Sequence, residues 1–279
     1  MNVPRVTAVF GGGGAKSAAQ VGALRALEEA GLRPSRFVAT SMGGVVAAAA
    51  ASGLGADELS RRLRSIRARD VAKPRPLAPV AGLWMPSLLR AEPMRQTLRR
   101  LVPQQRFSDL ATPLTLTAVD LDSRELVVLG DGGLDLPLLD ALCATTALPV
   151  YYPPAEVAGR RLADGGLRAV LPLDLAARFP ADLVVAVDVS PSVDEPGPRQ
   201  RFRGPGLLLA HDAAEGILMA QQAVDAVARW RTTEGRPRLV HVRPPLPLRA
   251  TFAVELFVEF EAAGYEATRA ALMGEAWHG

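Results

Sequence analysis

The chain begins with a short apolar run, Val6 to Phe10, that stops abruptly in four glycines, Gly11 to Gly14. Val21, Leu24 and Leu27 then recur at helical spacing until Gly31 ends the pattern. The order is strand, bare-backbone loop, helix. A second unit follows, with Phe37 to Thr40 as a strand, Ser41 at the turn, and Met42 to Ser52 as an alanine-rich helix whose small face can lie close to a sheet. Two strand-to-helix units in the first fifty residues argue for an α/β architecture.

The 279 residues, 49% of them hydrophobic, are enough for one large core, and the reading is a single domain over 1–279 with its core at about 5–190. Leu114 to Asp120 and Glu125 to Leu129 read as strands joined by a turn, and the nearly all-apolar Leu183 to Val189 as a buried parallel strand, so a mixed, mostly parallel sheet is expected. Residues 71–94 hold many prolines around Leu83, Trp84, Met85, Leu88 and Leu89 and read as an irregular apolar lid. Pro191 to Gly206 reads as a mobile loop, and the C-terminal part, about 207–275, as helical, with periodicity over Ala213 to Arg229 and Phe252 to Leu272.

Composition removes several function classes. A single cysteine, Cys143, excludes an internal disulfide framework, and no Cys/His spacing calls for a metal. The net charge of +3 is too small to imply nucleic acid. Arg61, Arg62, Arg64, Arg67 and Arg69 read as a solvated helix face rather than a headgroup patch. The N-terminus lacks the pattern of a signal peptide, which leads to a cytoplasmic expectation. Apolar runs such as Val45 to Ala51 fall short of the roughly 20 residues that span a bilayer, so membrane contact is expected to be peripheral.

Ala39-Thr40-Ser41-Met42-Gly43 is one residue from the G-x-S-x-G nucleophile elbow, which needs small neighbours because a sharp turn brings them against the serine backbone. Such a serine also needs donors for the oxyanion of its tetrahedral intermediate, each typically contributing about 3 to 4 kcal/mol, and the amides of Gly11 to Gly14 at a helix start can supply them. A phosphate-binding P-loop fits Lys16-Ser17 but fails at Phe10 and Ala15, where glycine is required, and a dinucleotide fingerprint fails at Ser17. No cofactor is expected. Lys16 is one of two lysines in an arginine-rich chain and stands in a helix first turn, where positive charge is mildly unfavourable. The base is left open by the residues themselves. His211, His241 and His278 lie in no motif, while Asp164-Gly165-Gly166 and Asp131-Gly132-Gly133 each offer a carboxylate at a tight turn.

Taken together, these residues resemble the patatin-like phospholipase family. Gly12-Gly13-Gly14-Ala15-Lys16-Ser17 is similar to its oxyanion loop, Ala39 to Gly43 to its elbow and Asp164-Gly165-Gly166 to its aspartate loop. The segment Asp140 to Pro154 is similar to the stretch leading into that loop and favours Asp164 over Asp131. The resemblance implies a three-layer α/β/α sandwich and metal-free cleavage of a lipid carboxylic ester through an acyl-enzyme. Ser41 would be the nucleophile, Asp164 the base, and Gly12, Gly13 and Gly14 the oxyanion hole, supported by Lys16, Gly43, Gly165 and Gly166. The implied partner is a lipid or acyl-ester substrate. Two departures, Ala39 for the first elbow glycine and Ser17 for the glycine after the basic residue, keep a second expectation in play: an acyl-lipid-binding protein that retains the pocket without the chemistry.

Overall fold

Strand β1, Val6–Phe10, is buried along its whole length, as are Leu183–Val187 on one side of it and Phe37 to Thr40 on the other, because a parallel sheet covered on both faces has no solvent side. The computed structural model describes residues 4–76, 84–191, 205–247 and 250–274. The central sheet also contains β2 (Pro34–Thr40), β3 (Leu114–Asp120), β4 (Leu126–Gly130), β5 (Ala155–Val157), β6 (Arg160–Asp164), β7 (Leu183–Val187) and β8 (Arg238–Val242). Its order is β5-β6-β3-β2-β1-β7-β8, with β4 paired to β3. Strands β3, β2, β1, β7 and β8 run parallel, and β4, β5 and β6 form the antiparallel part. The sheet is therefore mixed, as the sequence leads one to expect.

Alternation along the strands sends side chains into two cores. Val6, Ala8, Phe10, Phe37, Ala39, Val185 and Val187 join the helices of one face, and Val9, Val38, Val184 and Ala186 those of the other. The first layer holds α1 (Ala18–Glu29), α2 (Ser41–Ala51), α3 (Ala56–Arg64), α4 (Ala68–Val71), α5 (Ala91–Leu101), α6 (Leu138–Thr145) and, late in the chain, α10 (Phe257–Gly274). Between these come the short α7 (Gly166–Ala169) and α8 (Leu173–Ala176), and the long α9 (Gly206–Thr232), whose Ala223, Ala226, Val227 and Trp230 cover the second face. The result is a three-layer α/β/α sandwich. Helix α2 is apolar all round, which suits a helix enclosed by its neighbours.

Helix α9 starts earlier than the periodicity marks, since its first turns carry a different pattern from the rest, and α10 begins at Phe257 after a 3-10 turn over Val254–Leu256. Arg61 and Arg62 pair with Glu58 along the face of α3, while Arg64 reaches Glu261 on α10. Of the expected lid, Val71 and Met94 line the cavity described below, Leu88 and Leu89 hydrogen-bond through their amides to the carbonyls of Val150 and Tyr151, and Trp84 is exposed. Leu83, most of the expected loop Pro191 to Gly206, and His278 lie outside the described residues. No helix among the described residues is long and apolar enough to cross a membrane.

Candidate active site

Pairing along β3 brings two distant segments together. Strand β4 pairs with Thr115 to Val119 on one edge of β3, so β2, which pairs up to Thr117, and β6, which pairs from Ala118, must share the other edge. Thr40 stands opposite Thr117 and Asp164 opposite Ala118. The ends of β2 and β6 therefore abut, and Ser41 is brought against Asp164.

Ser41 turns the chain from β2 into α2 with φ 56°, in the left-handed region that costs a residue with a side chain of order 1 to 3 kcal/mol. Its surroundings require small residues. A β-carbon on Gly43 would stand 2.4 Å from the Gly11 carbonyl oxygen, and one on Gly44 would stand 2.7 Å from Leu116 Cδ2. Ala39 is paired with Phe10 and Leu116 and buried in the core, so the turn is reached with a methyl at that position. The Ser41 amide donates to Thr145 Oγ1 at 2.9 Å. Thr40 Oγ1 donates to the Ala169 carbonyl at 2.7 Å, which leaves Thr117 as donor in the 2.7 Å contact between the two threonine hydroxyls. Replacing Thr145 by valine keeps the shape but strands the Ser41 amide, a loss of about 1 to 3 kcal/mol. We expect a lower thermal midpoint together with a drop in turnover of about tenfold, because the turn then loses its anchor.

Ser41 Oγ donates to Asp164 Oδ2 at 2.5 Å, and the Gly166 amide donates to Asp164 Oδ1 at 2.8 Å. Only 1% of Asp164 is exposed. Burial pushes its carboxyl up to about 7, further than the hydrogen bonds from Ser41 and Gly166 pull it back. Gly165 has no alternative, since a β-carbon there would stand 2.1 Å from Thr117 Oγ1. The second Asp-Gly-Gly is elsewhere: Asp131 follows β4 near the start of β3 and pairs with Arg36.

The glycine loop follows β1 and lies beside Ser41. Gly12 donates its amide to the Val170 carbonyl at 2.8 Å, and Gly11 donates to Val187 at 3.1 Å. The amides of Gly13 and Gly14 have no acceptor among the described residues, and both glycines line the cavity. So Gly12, expected as a donor, is already engaged. A β-carbon on Gly13 would meet Val189 at 2.6 Å, and Gly14 has φ 59° with the Thr251 carbonyl oxygen only 2.4 Å from where its β-carbon would stand. Ser17 is buried and does not line the cavity, so its side chain stays out of the space beside Ser41.

Lys16 is buried rather than solvated. Burial lowers its pKa to about 8, while the charge of Asp188 raises it and that of Arg243 lowers it. Asp188, which follows β7, also accepts from the amide and hydroxyl of Ser190 and lies 3.4 Å from His241 Nε2. The polar contact of His211 is with Glu215, 3.8 Å away on α9. Neither histidine is paired with Ser41 or Asp164.

Ser41, Asp164 and the loop open into a cavity of about 350 Å³ walled by apolar side chains that include Val71, Met94, Leu98, Leu101 and Phe257. Glu215 also lines it, and its carboxyl is pushed up to about 7 by burial, then by the charges of Asp164 and Asp212. Sequence reasoning missed Glu215, Thr145 and Thr117. The first lies in a helix with no motif, and the two threonines act through single hydroxyls that only the fold brings to Ser41, in the case of Thr145, and to Thr40, in the case of Thr117.

A profile of the patatin-like phospholipases matches residues 8–177, more than half of the chain. The chain belongs to the patatin-like phospholipase family. Among its relatives are an uncharacterised NTE family protein of Mycobacterium bovis, 35% identical over 195 residues, covering 70% of this chain and 51% of that one. Another is patatin-like phospholipase domain-containing protein 6 of Mus musculus, 32% identical over 194 residues, covering 68% of this chain and 14% of that one. This patatin-like chain thus spans about half the length of the mycobacterial relative it matches. The fold is also similar to that of the type III effector protein ExoU, with a TM-score of 0.50, 15% identity, and cover of 99% of this chain and 54% of that one.

Proposed function

We propose that this patatin-like chain is a serine acyl hydrolase that cleaves carboxylic esters of lipids through Ser41 and Asp164. The observation that carries the proposal is the 2.5 Å hydrogen bond from Ser41 Oγ to the buried carboxylate of Asp164, at the foot of an apolar cavity. Membership of a phospholipase family supports it.

As Oγ attacks the ester carbonyl, its proton passes to Asp164 Oδ2, and the oxyanion takes hydrogen bonds from the Gly13 and Gly14 amides. Collapse expels the alcohol, which takes the proton from Asp164 and leaves the acyl group on Ser41. Water then attacks the acyl-enzyme, again giving its proton to Asp164, and the acid leaves as Ser41 recovers that proton. Lys16, buried within reach of the charge of Asp188, stands at the edge of the cavity beside the loop. The apolar wall receives the acyl chain.

The test is hydrolysis of p-nitrophenyl esters of short and long acyl chains, with Ser41→Ala and Asp164→Asn beside the wild type. Activity absent from both variants and present in the parent supports the dyad; labelling of the parent at Ser41 by a fluorophosphonate adds the nucleophile. A parent silent on every ester and unlabelled would favour the acyl-lipid-binding reading.

Two further outcomes are expected. Because Asp164 acts as the ionised form and its pKa lies at about 7, kcat/KM should fall as the pH drops through about 7 rather than through the ordinary carboxylate range near 4. A pH–rate profile in buffers of constant ionic strength checks this. His241→Ala should keep most of the activity, within about threefold, because His241 faces Asp188 and not Ser41; a loss of a hundredfold or more would restore a histidine to the mechanism.

A further inference from the structure

The first turns of α9 reverse the usual arrangement of a surface helix. From Pro205 to Leu218 no solvent-exposed residue carries a polar side chain: Leu207, Ile217 and Leu218 are 69%, 70% and 64% exposed, and Ala210 and Ala214 are exposed between them. These positions recur three and four apart and so form one stripe. The polar residues of the same turns, His211, Asp212 and Glu215, are half-buried. Asp212 accepts from the Tyr151 hydroxyl at 2.7 Å, and both acidic residues line the cavity. Further along, the helix returns to the ordinary pattern, with Gln221, Asp225 and Arg229 exposed and Ala223, Ala226 and Trp230 buried.

We propose that this apolar stripe seats the protein on the surface of a lipid aggregate, with the cavity beside it opening toward the lipid. The inference rests on the reading of the site as a lipid hydrolase. Leu209, Gly216 and Met219, interleaved with the stripe, line the same cavity that holds Ser41, so a chain leaving the aggregate next to the stripe can enter the cavity along these apolar residues. A second protein is the poorer fit. Fourteen residues of helix span about 20 Å. At a helix width of about 10 Å the stripe offers roughly 200 Å², against about 800 Å² per partner in a standard interface. Lipid asks for no shape complement and is held by buried apolar area. The stripe has no charge, so the attachment is apolar and should not need anionic headgroups.

The experiment is flotation of the Ser41→Ala protein with vesicles of dioleoylphosphatidylcholine, so that the lipid survives the measurement, with and without Ile217→Glu and Leu218→Glu together. The parent should float with these neutral vesicles and stay bound in 0.5 M salt, since screening weakens charge attraction and not apolar burial. The double change should cut the bound fraction at least tenfold. Both residues are exposed and outside the cavity lining, so in the Ser41 form the double change should leave cleavage of a short, water-soluble ester within about twofold while lowering cleavage of vesicle-borne ester at least tenfold. A parent that stays in the aqueous fraction, a double variant that floats equally well, or a dimer in solution that the double change splits would each overturn the proposal. Flotation with no cleavage of any ester would instead uphold the docking face and sink the hydrolase reading.

Discussion

Ser41→Ala and Asp164→Asn are each expected to lower ester cleavage by about 10³-fold or more, because removing the nucleophile or its base takes away the covalent route altogether. The two losses should not add: a double variant should be no worse than the poorer single one, since the pair acts as a unit. The variants should part company in stability. Asp164 takes up its proton more readily folded than unfolded, so its contribution to stability is fully present below about pH 4 and is lost as the pH rises through about 7. Asparagine keeps the shape without the buried charge. Asp164→Asn should therefore be more stable than the parent at pH 8, by about 1 to 3 kcal/mol, with the gain shrinking toward pH 4. Denaturant unfolding at the two pH values measures it. A variant destabilised at pH 8 would mean that the carboxylate is better compensated than its surroundings indicate.

Gly264→Leu should be the most damaging substitution outside the cavity. Helices α1 and α10 approach so closely that a β-carbon on Gly264 would stand 1.8 Å from the Ala19 carbonyl oxygen, and one on Gly22 1.9 Å from that of Glu261. The obstacles are backbone atoms, which cannot rotate away, so a side chain forces the helices apart. With them would go the contact of Glu261 with Ser60 at 2.6 Å and the 2.8 Å bond from the Ala15 amide to Thr251, which holds the glycine loop from the C-terminal side. We expect a loss of about 3 kcal/mol or more, roughly 6 to 12 °C in thermal midpoint for a chain of this size. Gly206→Ala, where nothing lies within 4 Å, should stay within about 0.5 kcal/mol and serves as the control. A Gly264→Leu protein that melts with the parent would show that α10 does not pack as described.

This second prediction marks a limit of sequence reading. The family match ends at residue 177, yet α10 and Thr251 brace the loop at Gly14 from far beyond it. Nothing in residues 250–274 announces that partner, because the signal for close helix packing is two glycines more than two hundred positions apart. The Ala39 departure is a converse case. From the sequence its methyl threatens the elbow, whereas in the sheet it is one more core contact, and the strained φ is permitted by Gly43 and Gly44 on the other side of the serine.

The sequence by itself determined the elements that local chemistry dictates: the strand, glycine loop and helix at Gly11 to Gly14, the turn at Ser41, the apolar strand at Leu183 and the alanine-rich helix between sheet and core. Periodicity and glycine placement are written in neighbouring residues and can be read there. What only the tertiary structure decided is how the loop's amides are shared, with Gly12 bound to Val170 and Gly13 and Gly14 left open among the described residues; that Lys16 is buried near Asp188; and that Thr145 meets the Ser41 amide, Thr117 meets Thr40 and Glu215 lies near Asp164. Those facts depend on which strand ends meet across β3, a long-range pairing that no local pattern encodes.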